Sequence, residues 1–402
     1  RYWASGMGRY RVLLATGLAS SVTLLIMSDA GSRRRLDIGS WQSGSRAEGL
    51  ASLYRISPNL MAVNAQVVFA INQQARDYEL HEIPSVARIM SHPAVAAVVV
   101  MRTNGDVVLE HYRPDHGRSS VFSDQSSTKS MGYVLLNRAL AAGALSLDDP
   151  VESYVPEIGP GFAGRTVGDV ASMAVNHNVA ELAAYTGDPQ ALMMFDRDER
   201  VIGLQRNDER ETLRQFIAAI EPGSGGSTEW TGDIANYATI NTSVLGLAIE
   251  GATQTPLASQ VRDLLHDIGG EHTVYMGTDF DGVPVIGASL MSATVDFARY
   301  GRLLIDNRDQ AVSDGQTAKT EGQPVPAELT YVESRYYKSA IHNEYGLGHS
   351  GWGGQLLWAD PVSGTIIAAN SLLASELPAP YDHFNKMYHA AIDIVTHYRT
   401  AD

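Results

Sequence analysis

The stretch VFSDQSSTKSMGYVLLNRALAAG, residues 121–143, decides how this chain is read. Met131, Val134, Leu135, Ala139 and Ala142 recur at the spacing of one buried helix face, and Gly143 supplies a natural stop. Ser126 and Lys129 stand one turn apart at the head of that helix and share a face. A lysine beside an apolar run either snorkels to water or stays buried, and burial beside hydroxyl groups lowers the cost of its neutral, basic form. Ser126 near a helix N-terminus also places its oxygen where free backbone N–H groups and the helix dipole favour developing negative charge. The same residues admit a second reading, a Ser/Thr-rich surface turn followed by a solvated lysine, so the chemistry needs further residues elsewhere in the chain.

Working outward, AVAAVVVMR (residues 94–102) and DVVLEHYR (residues 106–113) flank Asn104-Gly105, a strong hairpin signal. Two antiparallel strands are therefore expected ahead of the helix. A mostly helical, turn-rich middle follows from Asp148 to about Leu265, broken by GPGFAG and EPGSGGSTEW. Near the end, GQLLWADPVSGTIIAANS reads as strand, turn, strand, and Tyr381–Tyr398 as an amphipathic helix. Strands at both ends with helices between predict an α+β fold: one antiparallel sheet completed late, flanked by helices and carrying a helical insertion.

Composition sets limits on function. The 402 residues are 44% hydrophobic and 19% charged, enough for a large core in one body or two intimately packed ones. A formal net charge of −15 argues against nucleic acid as partner, because a polyanion is bound by clustered Lys and Arg. With no cysteine, disulfides, thiolate metal sites and cysteine nucleophiles drop out together.

At the head of the chain, Arg9 and Arg11 precede an uncharged run from Val12 to Ser28 that ends in Ser28-Asp29-Ala30. This resembles a signal peptide with Met7 as a natural start and cleavage after Ala30, which implies export to a periplasm or medium. Two rivals stay open: a membrane anchor, with Arg33, Arg34 and Arg35 as the stop signal, and a buried soluble helix. Residues 1–30 are accordingly expected to be a signal peptide or anchor, 31–81 an N-terminal arm, and 82–402 the catalytic body.

Two later stations give the opening motif its context. NYATINTSVLGLAIE, residues 236–250, sets Tyr237 just before a helix whose apolar side carries Val244, Leu245, Leu247 and Ala248. YGLGHSGWGGQ, residues 345–355, then enters the final hairpin. In this order S-x-x-K, a variant of Y-x-N, and H-x-G resemble the serine β-lactamase and penicillin-binding-protein superfamily in its class C-like branch, from about Glu82 to the C-terminus. ALAAGALSLDDPVESYVPEI after the helix supports the likeness. YATINTSVLG and GGQLLWADP look most like 6-aminohexanoate-dimer hydrolases and related esterases.

The resemblance implies a β-lactamase-like fold and a serine hydrolase that cleaves ester or amide bonds of small substrates, with no cofactor. Ser126 is the implied nucleophile, with Lys129 and Tyr237 as the shared acid and base. A serine hydroxyl needs such a base, and Lys129 and Tyr237 can depress each other's pKa, so their roles belong to the pair. The backbone N–H groups of Ser126 and Trp352 are implied as the oxyanion hole, and His349, Ser350, Gly351, Thr239 and Trp352 as the substrate-binding set. Thr239 replaces the Asn that helps true β-lactamases hold the substrate amide, and His349 replaces a permanent cation, a weaker anion clamp at neutral pH. Both changes favour ester or amide substrates over β-lactams. A β-lactamase, a D-amino-acid peptidase and a non-catalytic scaffold of the same fold are the alternatives.

Competing motifs carry little. GPGFAG, residues 159–164, spells G-x-G-x-x-G, but Pro160 sits inside it with no buried strand before or apolar helix after, so it reads as a loop. His111, His116, His177, His266, His272 and His342 have no metal-ligand spacing, so no metal is expected. No G-x-S-x-G elbow exists, which argues against an α/β-hydrolase.

Overall fold

The computed structural model describes residues 49–57, 59–179, 181, 201, 211–373 and 379–401. The apolar run Val12–Ser28 and most of residues 180–207 lie outside the described residues. Among those described, no helix is long and apolar enough to cross a membrane.

Twelve strands form two antiparallel sheets among these residues: β1 Leu60–Val63, β2 Val95–Arg102, β3 Val107–Tyr112, β4 Val121–Ser123, β5 Val274–Gly277, β6 Leu290–Ala293, β7 Gln323–Val325, β8 Ser334–Tyr337, β9 Ala340–Asn343, β10 Gly346–Gly351, β11 Gln355–Asp360 and β12 Thr365–Ser371. The larger sheet runs β3-β2-β12-β11-β10-β9-β8-β7. It is the sheet expected from the sequence, with the N-terminal hairpin added to the C-terminal strands through β12 and β2, Ile367 opposite Val100. Gly105 turns the hairpin with φ +91°, and its Cβ would lie 2.6 Å from the Ala70 carbonyl, so only glycine fits there.

The sequence predicts one sheet, and the structure has a second of four strands, β1-β5-β6-β4. β1 lies within the stretch read as an N-terminal arm and pairs with β5, Met61 opposite Met276. These strands are three or four residues long and come from distant parts of the chain, so none carries a readable alternation of its own.

Both faces of the large sheet are covered. Val98 and Val100 of β2 and Ile367 and Ala369 of β12 pack with Met387, Tyr388, Ile394 and Val395 of the C-terminal helix. Val99, Met101, Ile366 and Ala368 pack on the opposite side with Val295, Phe297 and Ala298. The unbroken apolar run in β2 follows from this, since a strand buried on both faces needs no alternation. Six helices matter below: α1 Pro84–Met90, α2 Ser130–Ala141, α3 Thr239–Thr253, α4 Thr294–Leu304, α5 Arg308–Glu321 and α6 Ala379–Ala401. α6 and α1 cover one face, α4 the other, and α2 packs against α3.

The helix read over residues 121–143 starts later than expected. Residues 121–123 are β4, Gln125–Lys129 is a 3-10 turn, and the α-helix proper is α2. Ala142, expected on the buried face, is exposed because the helix has already ended at Ala141 and Gly143 turns away with φ +65°. GPGFAG forms a loop with a short 3-10 turn at Pro160–Phe162 whose Phe162 is fully buried.

Candidate active site

Ser126 lies in the 3-10 turn between β4 and α2, half-buried, behind a residue of unusual conformation: Gln125 has φ +49°. A non-glycine residue there persists only where its surroundings hold it. Each neighbouring polar side chain supplies such a hold. Ser127 Oγ donates to the His349 carbonyl at 3.0 Å, Thr128 Oγ1 donates to the Gln125 carbonyl at 2.6 Å and accepts from Leu290 N at 3.1 Å, and Ser130 Oγ donates to the Ser127 carbonyl at 2.7 Å. The Ser/Thr-rich turn is therefore interior, wedged against β10 and β6.

Lys129 is fully buried. Its Nζ donates to Ser126 Oγ at 2.8 Å, to Thr239 Oγ1 at 2.8 Å and to the Gly287 carbonyl at 2.9 Å. The same nitrogen lies 4.7 Å from the centre of the Tyr237 ring. The solvated-lysine reading of the motif fails on this geometry. Gly287 leaves no room for a side chain, since a Cβ would sit 2.6 Å from Thr239 Cγ2.

Tyr237 stands two residues before α3 and Thr239 is the first residue of that helix. Thr239, read from the sequence as a substrate contact, is 4% exposed and turns its hydroxyl to Lys129. Its backbone N–H donates to Glu181 Oε2 at 2.6 Å, which puts a buried carboxylate at the positive end of α3. Glu181, the Gly287 carbonyl and Thr239 as a lysine partner all escape sequence reading, because nothing local marks a residue that meets its partner only through the fold.

β10 forms the opposite wall. His349 is 2% exposed, with its ring centre 5.9 Å from that of Tyr237 and 5.6 Å from that of Tyr336. Burial pushes its pKa down to about 3, and the charge of Lys129 acts in the same sense, so the imidazole is neutral at physiological pH. Gly351 brings the strand against the turn of Ser126: a Cβ there would lie 2.5 Å from the Asp124 carbonyl. Ser350 is half-buried beside it. Trp352 follows the strand, and its side chain packs with Leu50 and Leu53 of the N-terminal segment.

The sequence-selected Ser126, Lys129, Tyr237, Thr239 and His349 thus converge, with Ser350, Gly351 and Trp352 continuing the His349 strand. The scattered histidines do not converge. His177 Nε2 meets Asn241 Oδ1 at 2.9 Å, His342 Nε2 meets the Tyr337 carbonyl at 3.1 Å, and His272 Nδ1 meets Asp296 Oδ2 at 2.9 Å. Asp77, Glu79 and His397 bring ligand atoms within 4.8 Å of one another, but Asp77 there accepts from Glu79 N, His397 and Tyr398 and so tethers a 3-10 turn to α6.

The sequence profile of the Beta-lactamase family matches residues 85–391. The chain is similar to 6-aminohexanoate-dimer hydrolase of Paenarthrobacter ureafaciens, 22% identical over 301 residues that cover 71% of this chain and 74% of that one. Among solved structures, it superposes with a TM-score of 0.69 on a Bacillus anthracis protein assigned as a 6-aminohexanoate-dimer hydrolase, at 19% identity, covering 88% of this chain and 94% of that one. The D-amino acid amidase of Ochrobactrum anthropi superposes with a TM-score of 0.55 at 13% identity, covering 80% and 99%. The profile match spans the turn of Ser126, Tyr237 and β10, and the chain belongs to the Beta-lactamase family and has its α+β fold.

Proposed function

We propose that the protein is a serine hydrolase that cleaves ester or amide bonds of small substrates through an acyl-enzyme on Ser126. The observation that carries this reading is the 2.8 Å contact from Lys129 Nζ to Ser126 Oγ, with the Tyr237 ring 4.7 Å from the same nitrogen. In the first half-reaction Ser126 Oγ attacks the substrate carbonyl carbon while its proton passes to the Lys129–Tyr237 pair. The negative charge that forms on the carbonyl oxygen is taken by the backbone N–H groups of Ser126 and Trp352. Collapse of the tetrahedral intermediate breaks the bond to the leaving group, which takes a proton from the pair. Water, deprotonated by the same pair, then attacks the acyl-enzyme and releases the acid and free Ser126.

The names of the similar proteins, a 6-aminohexanoate-dimer hydrolase and a D-amino acid amidase, support amide hydrolysis within this chemistry. Neutral His349 and inward-turned Thr239 support esters and simple amides over β-lactams, because neither offers a permanent cation or a free side-chain amide to the substrate. The run Val12–Ser28 supports export from the cytoplasm, which cell fractionation of the full-length protein would test. A fluorophosphonate probe tests the catalytic reading. Stoichiometric labelling mapped to Ser126 is expected, and folded protein that stays unlabelled would return the chain to the scaffold alternative.

A further inference from the structure

Asp124, Asn370 and Gln355 lie on three separate pieces of chain, ahead of the nucleophile turn, on β12 and on β11, and all three are fully buried. They are joined in a line. Asn370 Nδ2 donates to Asp124 Oδ1 at 3.0 Å and to Gln355 Oε1 at 3.0 Å, while Thr294 Oγ1 donates to Asn370 Oδ1 at 2.7 Å. At one end Asp124 Oδ2 meets Ser292 Oγ at 2.7 Å. At the other, Gln355 Nε2 donates to the Trp352 carbonyl at 3.2 Å and to the Ser371 carbonyl at 2.7 Å.

The ends of this line are the two segments that present the oxyanion donors. The peptide carrying the Ser126 N–H has the Gln125 carbonyl, clamped by Thr128 Oγ1, and Asp124 sits one residue earlier with its own carbonyl accepting from Ser127 N at 3.1 Å. The peptide carrying the Trp352 N–H has the Gly351 carbonyl, which accepts from Gly354 N at 3.1 Å, and Gln355 grips the next carbonyl along. Gly353 and Gly354, with φ +82° and +90°, would leave that turn loose without such a grip. Two donors on segments far apart in sequence act together only if their spacing is fixed before the charge develops.

We propose that Asp124, Asn370 and Gln355 form a positioning relay that fixes the Ser126 and Trp352 backbone amides relative to each other as one oxyanion hole. The inference rests on the acyl-enzyme reading above. The partners of Asp124 are a hydroxyl and an amide with no cation among them, and burial pushes its carboxyl well above the usual carboxylate range. Asp124 accepts from Ser292 Oγ and from Asn370 Nδ2, and an asparagine of the same shape keeps both contacts once the Ser292 hydroxyl turns to accept.

The test compares Asp124→Asn, Asp124→Leu, Gln355→Leu and Gln355→Glu with the wild type, using p-nitrophenyl butyrate for kcat and KM and phenylboronic acid for the tetrahedral adduct. Gln355→Leu and Asp124→Leu are expected to lower kcat roughly ten- to a hundredfold at little changed KM, and to weaken boronate inhibition in proportion, as for a misplaced donor. Asp124→Asn should stay within about threefold of wild type, because its amide oxygen still accepts from Asn370 and its amide nitrogen donates to a turned Ser292 hydroxyl. If Gln355→Leu does not fold, Gln355→Glu reads the same contact, because it keeps the acceptor for Asn370 and loses the donor to Trp352. A folded Gln355 variant with wild-type kcat, or an Asp124→Asn variant as damaged as Asp124→Leu, overturns the relay. Failure of the hydrolase reading looks different, since wild-type Ser126 would then not react with fluorophosphonate at all.

Discussion

Thr239 Oγ1 accepts a hydrogen bond from Lys129 Nζ at 2.8 Å, the same distance that separates this nitrogen from Ser126 Oγ. In the proposed mechanism the residue in the position of a substrate-holding asparagine therefore holds the base. A buried amine with a fixed second acceptor cannot swing away from Ser126. Thr239→Val removes that acceptor at nearly constant volume, and a lost buried hydrogen bond of this kind is worth about 1–1.5 kcal/mol. The expected outcome is roughly a tenfold drop in kcat/KM for p-nitrophenyl butyrate, restored by Thr239→Ser, with the fold intact by circular dichroism. Equal activity in Thr239→Val would leave the threonine without a role in placing Lys129.

The proton pair gives a second expectation. Lys129→Ala and Tyr237→Phe should each lower kcat about a hundredfold or more, the usual effect of a positioned acid or base, while Ser126→Ala abolishes turnover without unfolding the protein. With Lys129 Nζ 4.7 Å from the centre of the Tyr237 ring, the proposed mechanism makes the two one unit. The double variant should then lose little more than the worse single one. Losses that add in free energy would separate the two residues and undo the shared-proton mechanism.

How much of this was legible in the sequence depends on the distance over which each signal acts. Asn104-Gly105 and the C-terminal hairpin are local signals, and both hairpins form as read. The set Ser126, Lys129, Tyr237 and His349 was legible through its order along the chain, although only folding brings the four together. The left-handed Gln125 is not legible, because nothing in Asp-Gln-Ser calls for a positive φ, and so the sequence pattern extends α2 over what is a 3-10 turn. Asp124, Asn370 and Gln355 lie deeper still. Their contacts depend on the registers of β11 with β12 and β12 with β2, and no periodicity encodes a hydrogen bond between side chains from three strands and loops. Thr239 stands out in the sequence as a departure from asparagine, yet its inward turn toward Lys129 follows from the start of α3 and is not readable from the residue type.

Four buried histidines set the acid limit of stability. Burial lowers the pKa of His177, His342 and His383 to about 4 and that of His349 to about 3, so all are neutral in the fold at pH 5 and above. In the unfolded chain each titrates near 6.5 and binds a proton that the fold excludes. Their contribution to stability is complete above about pH 6.5 and is lost as pH falls toward 4, at up to about 1.4 kcal/mol per pH unit for each. Asp124, whose carboxyl burial pushes well above its ordinary range, acts in the opposite sense, losing stability as pH rises. Urea unfolding from pH 7 to 4.5 should therefore show a steep decline that His342→Gln makes shallower by about one proton. Identical slopes would mean that His342 is charged inside the protein.

Substrate choice is the most exposed expectation. A β-lactam carries a carboxylate, and binding it well calls for a lasting positive charge beside the nucleophile. The imidazole of His349 on β10 is held neutral, and Lys129 is buried and committed to Ser126, Thr239 and the Gly287 carbonyl. A missing charge-assisted hydrogen bond costs about 1.5–3 kcal/mol, or one to two orders of magnitude in specificity, which reorders substrates without forbidding acylation. Short-chain aryl esters are therefore expected to be turned over readily and nitrocefin slowly. His349→Lys is expected to narrow the gap, because it puts a stronger base at this position of β10. The measurement is kcat/KM for p-nitrophenyl butyrate and nitrocefin on one preparation of each protein. A wild type that prefers nitrocefin would show that the anion is held by some other group and would move the reading to a β-lactamase.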